Sequence, residues 1–219
     1  MKPRLLDLFC GAGGAGMGYH RAGFDVGGVD LAPMPNYPFE FHQGDALEYV
    51  AEHGHEFDAI HASPPCQGYL NLGSVNCALG RSYDYPDLIG PTRAALVSSG
   101  LPYVIENVIG APLRNPIMLC GSMFGLRVWR HRLFEFGHMP TPFVLLPPCA
   151  HLGLPVTVYG DSTPSYMVAK LGRHYTNAEK AAGLDVNWPM TGNELSQAIP
   201  PAYTEFVGTQ LIRALEVAA

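Results

Sequence analysis

A single cysteine, Cys66, stands in the octapeptide His-Ala-Ser-Pro-Pro-Cys-Gln-Gly at residues 61–68, directly after the strand-like run Phe57-Asp58-Ala59-Ile60. Two adjacent prolines fix φ and remove two backbone donors, so this loop is stiff and cannot continue a strand's ladder. A thiol held on a rigid loop is what covalent catalysis requires. Taken alone, a small buried hydrophobe in a turn would look the same. The other reactive types fall at comparable positions. Cys10-Gly11-Ala12-Gly13-Gly14-Ala15-Gly16 is a glycine loop, Asp30 and Asp45 follow short strand-like runs, Glu106 follows another, and Arg130 and Arg132 sit in an alternating stretch.

These residues need elements to position them. Residues 4–9 are an apolar run of strand length, followed by the glycine loop and a helix-compatible stretch to Ala22. Phe24 to Val29 predicts a second strand ending in Asp30, 39–42 a third running into Gly44-Asp45-Ala46, and 46–53 a helix. The strand at 57–60 is then the fourth. Helix 87–99, strand 101–105, a short helix from Ile117 to Phe124 and a hairpin containing 128–136 follow, with helices from Asn177 and from Pro201 to Val217 closing the chain. Tyr69 to Pro86 reads as a loop long enough to be a lid. The alternation predicts an α/β fold, a doubly wound and mostly parallel Rossmann-like sheet. In such a sheet the first and fourth strands are neighbours where the winding reverses, and ligands bind beyond their carboxyl ends. The glycine loop and the Cys66 loop should therefore face one another.

Composition agrees with one compact unit. The 219 residues are 47% hydrophobic and 15% charged, enough for one large core and too little charge for a disordered or coiled-coil chain. No apolar run reaches the roughly 18 residues of a membrane span, and no signal-peptide pattern opens the chain, so a cytoplasmic protein is expected. A net charge of −6 weighs against broad nonspecific affinity for nucleic acid. Five cysteines, odd in number and widely spaced, fit reduced thiols rather than a disulfide framework. Cys120, Cys149 and His151 could ligate zinc, but their spacing matches no established pattern, so no metal site is expected.

The glycine loop with Asp30 satisfies the dinucleotide fingerprint, in which an acid takes the ribose hydroxyls. S-adenosylmethionine sites use the same geometry, so the loop alone leaves a nicotinamide-dependent oxidoreductase and a methyltransferase both open. Asp45 would suit the exocyclic amine of adenine, and Phe9 could pack on the purine ring. The thiol narrows the choice. Carbon 5 of cytosine is not nucleophilic until a thiolate adds to carbon 6, a step eased by a carboxyl group at ring nitrogen 3 and a guanidinium at the carbonyl oxygen. Cys66, Glu106 and one of Arg130 or Arg132 supply that set. A phosphatase loop would want an arginine where Leu72 stands.

Asp7-Leu8-Phe9-Cys10-Gly11-Ala12-Gly13-Gly14, Pro64-Pro65-Cys66-Gln67-Gly68, Glu106-Asn107-Val108 and Arg130-His131-Arg132, in that order, resemble the motif set of the cytosine-5 DNA methyltransferases. Ile199-Pro200-Pro201-Ala202-Tyr203 is similar to the family's final motif, which folds back beside the cofactor. The resemblance implies S-adenosylmethionine as methyl donor and DNA as substrate, with Cys66 the nucleophile, Glu106 at nitrogen 3, Arg132 near the cytosine oxygen and Arg130 in support. Phe9, Cys10, Gly11, Gly13, Gly14, Asp30, Asp45, Ala46, Pro65, Gln197 and Ala198 would line the cofactor site. Two positions depart from the pattern: Val128 stands where the family usually has glutamine, and Gln197 where it has asparagine.

The resemblance divides the chain into a cofactor-binding and catalytic core at 1–136, a reduced appendage at 137–175 in place of a target recognition domain, and C-terminal helices at 176–219 that return to the core. Sequence readout ordinarily buries on the order of 1,000 Å² of protein surface or more. So short an appendage points to relaxed specificity, to a separate protein that supplies target recognition, or to a free cytosine nucleotide as substrate. A noncatalytic DNA-binding or regulatory module is the remaining alternative.

Overall fold

The computed structural model describes residues 2–66, 69, 87–139, 146–158 and 172–218. A seven-stranded sheet runs in the order β3-β2-β1-β4-β5-β7-β6, with β1 Arg4–Leu8, β2 Asp25–Asp30, β3 Glu40–Gln43, β4 Ala59–Ala62, β5 Tyr103–Asn107, β6 Ile117–Cys120 and β7 His131–Gly137. The first five strands are parallel to one another, whereas β7 is antiparallel to both β5 and β6. Strand β1 lies at the centre, with Leu5, Leu6 and Leu8 fully buried, because a parallel strand covered on both faces needs apolar side chains in both directions. Its pairing with β4 makes β1/β4 the point where the winding reverses, as expected.

Helices α1 Gly14–Ala22, α2 Ala46–His53, α3 Ile89–Ser99, α4 Asn177–Leu184, α5 Gly192–Gln197 and α6 Pro201–Ala218 complete the fold. Helices α1 and α6 approach closely through Gly18, where a Cβ would stand 2.1 Å from both the Pro201 carbonyl and the Thr204 hydroxyl. Thr204 Oγ1 donates to the Ala15 carbonyl at 2.8 Å. This contact draws Ala198 and Ile199 against the glycine loop, and a Cβ on Gly14 would meet the Ile199 oxygen at 2.6 Å.

One expectation needs correction. Ile117 to Phe124 is not a helix: Ile117–Cys120 is strand β6, and only Gly121–Phe124 forms a helical turn, of the 3-10 kind. Pairing with β7 supplies β6 with its hydrogen bonds, and tertiary pairing of this kind overrides local propensity. The hairpin's second strand runs from His131 to Gly137, and strand β5 runs to Asn107, with Glu106 its penultimate residue. The expected lid falls almost wholly outside the described residues, as do large parts of the 137–175 appendage.

Strand β7 is held in place by a charge pair. Arg93 Nε and Nη2 each donate to a different oxygen of Glu135 at 2.7 Å, and the Arg114 amide donates to the same carboxylate at 2.7 Å. Glu135 is 2% exposed, so its charge depends on those donors. Arg93→Ala leaves that carboxylate buried without its cation and should cost about 3–5 kcal/mol. Urea unfolding of the variant beside the parent measures the difference, and a change within experimental scatter would remove the pair from the account of β7.

Candidate active site

The carboxyl ends of the parallel strands converge on one crevice. From β1 the chain enters Phe9-Cys10-Gly11, with Phe9 at φ 57°, Gly11 at φ 50° and Gly13 at φ 86°. No heavy atom stands within 4 Å of where a Gly11 Cβ would be, so the loop leaves open space there. Asp30, at the tip of β2, accepts from the Gly11 amide at 3.0 Å through one oxygen and from the Ala32 amide at 3.1 Å through the other. It braces the loop while each oxygen retains acceptor capacity. Trp188 Nε1 donates to the Ala12 carbonyl at 2.9 Å and ties the C-terminal part of the chain to the same loop.

Asp45 caps α2, with one oxygen accepting from the Leu47 and Glu48 amides at 2.7 and 3.1 Å. Ala46 and Cys10 are buried, Pro65 and Gln197 are exposed, and Ala198 packs against Gly14. Gln197 donates to Asn193 at 3.4 Å.

On the other wall, β4 leads into Ser63-Pro64-Pro65-Cys66. Asn107, at the end of β5, donates from its side chain to the Pro64 carbonyl at 2.9 Å and thereby anchors the Cys66 loop to the neighbouring strand. Because β7 is antiparallel, its beginning lies at the carboxyl end of β5, with Leu133 opposite Asn107 and Phe134 opposite Glu106. That register carries Arg132 to Glu106: Nε and Oε1 are 2.9 Å apart, and the two side chains are 16% and 6% exposed. The contact lacks hydrogen-bond alignment, so Oε1 has no hydrogen-bond partner among the described residues.

Burial raises the Glu106 carboxyl above the usual carboxylate range, while Arg132 and a hydrogen bond from Ser63 pull it down. Burial likewise raises the half-buried Cys66 thiol, with Arg132 opposing and Glu106 reinforcing the shift. A carboxyl raised by burial and a thiol within its electrostatic reach therefore share one wall of the crevice.

Residues not singled out from the sequence support this pair. Tyr19 Oη lies 2.9 Å from His61 Nδ1, and His61 Nε2 lies 2.8 Å from Ser63 Oγ. Burial pushes His61 down to about 3, so the ring is neutral and must donate through one nitrogen and accept through the other. A chain in which Tyr19 donates to His61, His61 to Ser63 and Ser63 to Glu106 satisfies every member. Asp7 is a second omission. Buried beneath the glycine loop, it accepts from Tyr37 Oη at 3.1 Å and is raised to about 8 by burial. The chain signal for both was polar residues inside otherwise apolar strands.

Arg130 does not join Glu106. Its guanidinium donates to the carbonyls of Ala198 and Ser196, with Leu195 O at 3.5 Å, at the C-terminal end of α5. Burial and the neighbouring Arg132 push it down to about 9, so it stays protonated at neutral pH. Through these carbonyls it holds α5 and Ala198 against the crevice. Val128, where the resembled family has glutamine, is 2% exposed and packs with Val156 and Leu184.

Cys120, Cys149 and His151 converge with His131, their ligand atoms all within 4.8 Å of one another. No helix among the described residues is long and apolar enough to cross a membrane.

No family model matches the chain. Among curated proteins it is 30% identical over 149 residues to the type II methyltransferase M.XorII of Xanthomonas oryzae pv. oryzae, a match covering 61% of this chain and 31% of that one. It is 27% identical over 168 residues to the type II methyltransferase M.HgiDI of Herpetosiphon aurantiacus, covering 62% of this chain and 52% of that one. The chain thus spans about half or less of the length of these relatives. Among solved structures, Dnmt2 methyltransferase of Schizosaccharomyces pombe superposes with a TM-score of 0.59 at 11% identity, over 98% of this chain and 99% of that one. An Escherichia coli prophage protein assigned as a DNA modification methyltransferase superposes with a TM-score of 0.67 at 16% identity, over 98% and 99%. Over part of its length the chain is similar in sequence to type II methyltransferases, and its fold is a Rossmann-like α/β fold that it shares with these solved structures.

Proposed function

We propose that the chain methylates carbon 5 of cytosine in DNA, with S-adenosylmethionine as donor and Cys66 as the nucleophile. The observation that carries this reading is the convergence of the Cys66 loop and the Glu106–Arg132 pair on the crevice bordered by the glycine loop. The glycine loop fits an adenosyl ligand by two features: open space over Gly11, and Asp30 oxygens that keep acceptor capacity for ribose hydroxyls. Phe9, Cys10, Gly13, Gly14, Ala46, Pro65, Gln197 and Ala198 would complete the lining, with the second oxygen of Asp45 available to the adenine amine. When bound, S-adenosylmethionine supplies an electrophilic methyl group.

The chain's own residues prepare the acceptor. Cys66 Sγ, once deprotonated, forms a bond to carbon 6 of a flipped cytosine. The carbon 5–carbon 6 π electrons are then available at carbon 5, and Glu106 donates its proton to ring nitrogen 3 as negative charge develops there. Arg132 offers its remaining donors to the carbonyl oxygen. After methylation the proton on carbon 5 leaves to solvent, nitrogen 3 returns its proton to Glu106 and the Sγ–carbon 6 bond breaks, which restores the ring, the carboxyl and the Cys66 thiolate. Residues 137–175 are a short substitute for a recognition domain in this reading, and a separate protein or a relaxed target site would meet the deficit. With a net charge of −6, binding should weaken steeply with salt.

Incubation with methyl-labelled S-adenosylmethionine and duplex DNA, followed by nucleoside analysis, tests the reading. Label in 5-methylcytosine supports it; label in N6-methyladenine or N4-methylcytosine, or only in free deoxycytidine nucleotide, overturns it. Cys66→Ala should abolish transfer while leaving S-adenosylhomocysteine affinity within about twofold by calorimetry, whereas equal loss of both would make the thiol structural. Glu106→Gln should slow turnover by about 10²–10⁴-fold, the usual worth of a positioned acid. Ser63→Ala removes a hydrogen bond that favours the charged carboxylate, so the Glu106 pKa rises further. In the pH profile of kcat/KM, the limb that disappears in Glu106→Gln should then lie at higher pH in Ser63→Ala; an unmoved limb would detach Ser63 from the carboxyl.

A further inference from the structure

We infer that Cys120, His131, Cys149 and His151 form a structural zinc site, independent of the methyl-transfer reading. The four ligand atoms lie within 4.8 Å of one another. Cys149 Sγ is 3.1 Å from His151 Nε2 and 3.3 Å from His131 Nε2, and Cys120 Sγ is 3.4 Å from His151 Nε2. Zinc–sulfur bonds of about 2.3 Å and zinc–nitrogen bonds of about 2.0–2.1 Å in a tetrahedron separate ligand atoms by roughly 3.3–3.8 Å. Three of the pairs are at or just under that separation, and all lie within 4.8 Å, so shifts of about 1 Å would complete the tetrahedron.

Both imidazoles present Nε2, so neither ring has to turn. Two thiolates and two neutral imidazoles form a soft, tetrahedral set that selects zinc over oxygen-seeking cations, and the thiolates balance the dication's charge. With four protein ligands no position is left for water or substrate, which separates a structural from a catalytic site.

The surroundings are built in the same sense. Cys120 and His131 are directly paired across the β6–β7 hairpin, so the sheet itself fixes half of the ligand set. Ser122 Oγ lies 3.3 Å from Cys120 Sγ and 3.7 Å from Cys149 Sγ, a donor to both sulfurs, and the Ala150 amide donates to that hydroxyl at 3.2 Å. His151 stacks on Trp129, ring centroids 4.6 Å apart and planes within 9°. The other half of the set comes from residues 146–158, which have no helix or strand and carry Leu152 and Leu154 exposed. Val156 and Thr157 anchor its end by burial, but residues 147–155, which include both ligands, are exposed or half-buried, and a metal would fasten them to the sheet edge. His131 directly precedes Arg132, so the fastening lies one residue from the active-site cation.

Metal analysis of the full chain, purified without chelator or affinity metal, should find about one zinc per chain. Cobalt(II) exchanged into it should give the intense visible bands of tetrahedral coordination together with thiolate charge transfer. His151→Ala, at an exposed ligand, should weaken zinc by more than the roughly 10–100-fold typical of losing an outer partner, and Ser122→Ala by about tenfold. Cys66→Ala should keep full zinc. Zinc well below one per chain in the parent, octahedral cobalt spectra, undiminished zinc in His151→Ala, or a Cys120–Cys149 disulfide in the protein purified under reducing conditions would each overturn the site. If His151→Ala fails to fold, zinc content and the cobalt spectrum of the parent decide.

Discussion

The ion pair between Glu106 and Arg132 is the constraint on which the arrangement rests. A guanidinium almost excluded from water is costly without an acceptor beside it, and removing Glu106 would strand Arg132. The pair forms only because β7 is antiparallel: a parallel seventh strand would deliver Arg132 to the opposite end of the sheet. The Arg93–Glu135 pair on the same strand, and the pairing of β7 with both β5 and β6, are what keep that register. In this account the active-site electrostatics are a consequence of strand direction.

The second wall of the crevice depends on backbone approach rather than charge. Gly18 and Gly14 let α6 and the Ala198–Ile199 segment close on α1 and the glycine loop, and any side chain at either position would collide with main-chain atoms. Arg130 then holds the end of α5 from within. The C-terminal residues thus reach the loop that leaves β1, although most of the chain separates them in sequence. The fastening proposed for Cys120, His131, Cys149 and His151 would act on the same hairpin from its outer edge.

Features encoded in contiguous residues were legible from the chain alone. The β1–glycine loop–α1 unit, Asp30 at the end of β2 and the proline-stiffened Cys66 loop all follow from local spacing, and winding rules alone put β1 beside β4. What escaped depends on partners distant in sequence. Strand β6 exists because β7 pairs with it, and Ile117–Cys120 carries no pattern that excludes a helix. Arg130 and Arg132 are chemically equivalent in the chain, and their spacing of two would put both on one face of a strand; only the start of β7 at His131, which leaves Arg130 outside it, separates the one bound to the end of α5 from the one beside Glu106. His61 and Ser63 look like ordinary polar residues until the chain from Tyr19 links them. The four thiol and imidazole ligands span positions 120 to 151 with a hairpin between them, a spacing that resembles no finger or ribbon. Helix α5 did leave a signal, the Thr191-Gly192-Asn193-Glu194 capping box, of the same form as Thr176 to Glu179 before α4.

The central claim is that Cys66 Sγ reaches carbon 6 of a pyrimidine while the donor's methyl group waits across the crevice. Duplex DNA containing 5-fluorocytosine tests it most directly, because fluorine at carbon 5 cannot leave as a cation and the enzyme stalls after methylation. In the presence of S-adenosylmethionine, peptide mass spectrometry should find a 5-methyl-5-fluoro adduct on Cys66, dependent on the cofactor. An adduct on another cysteine, or 5-methylcytosine formed on ordinary DNA with no adduct on the fluorinated duplex, would contradict the account.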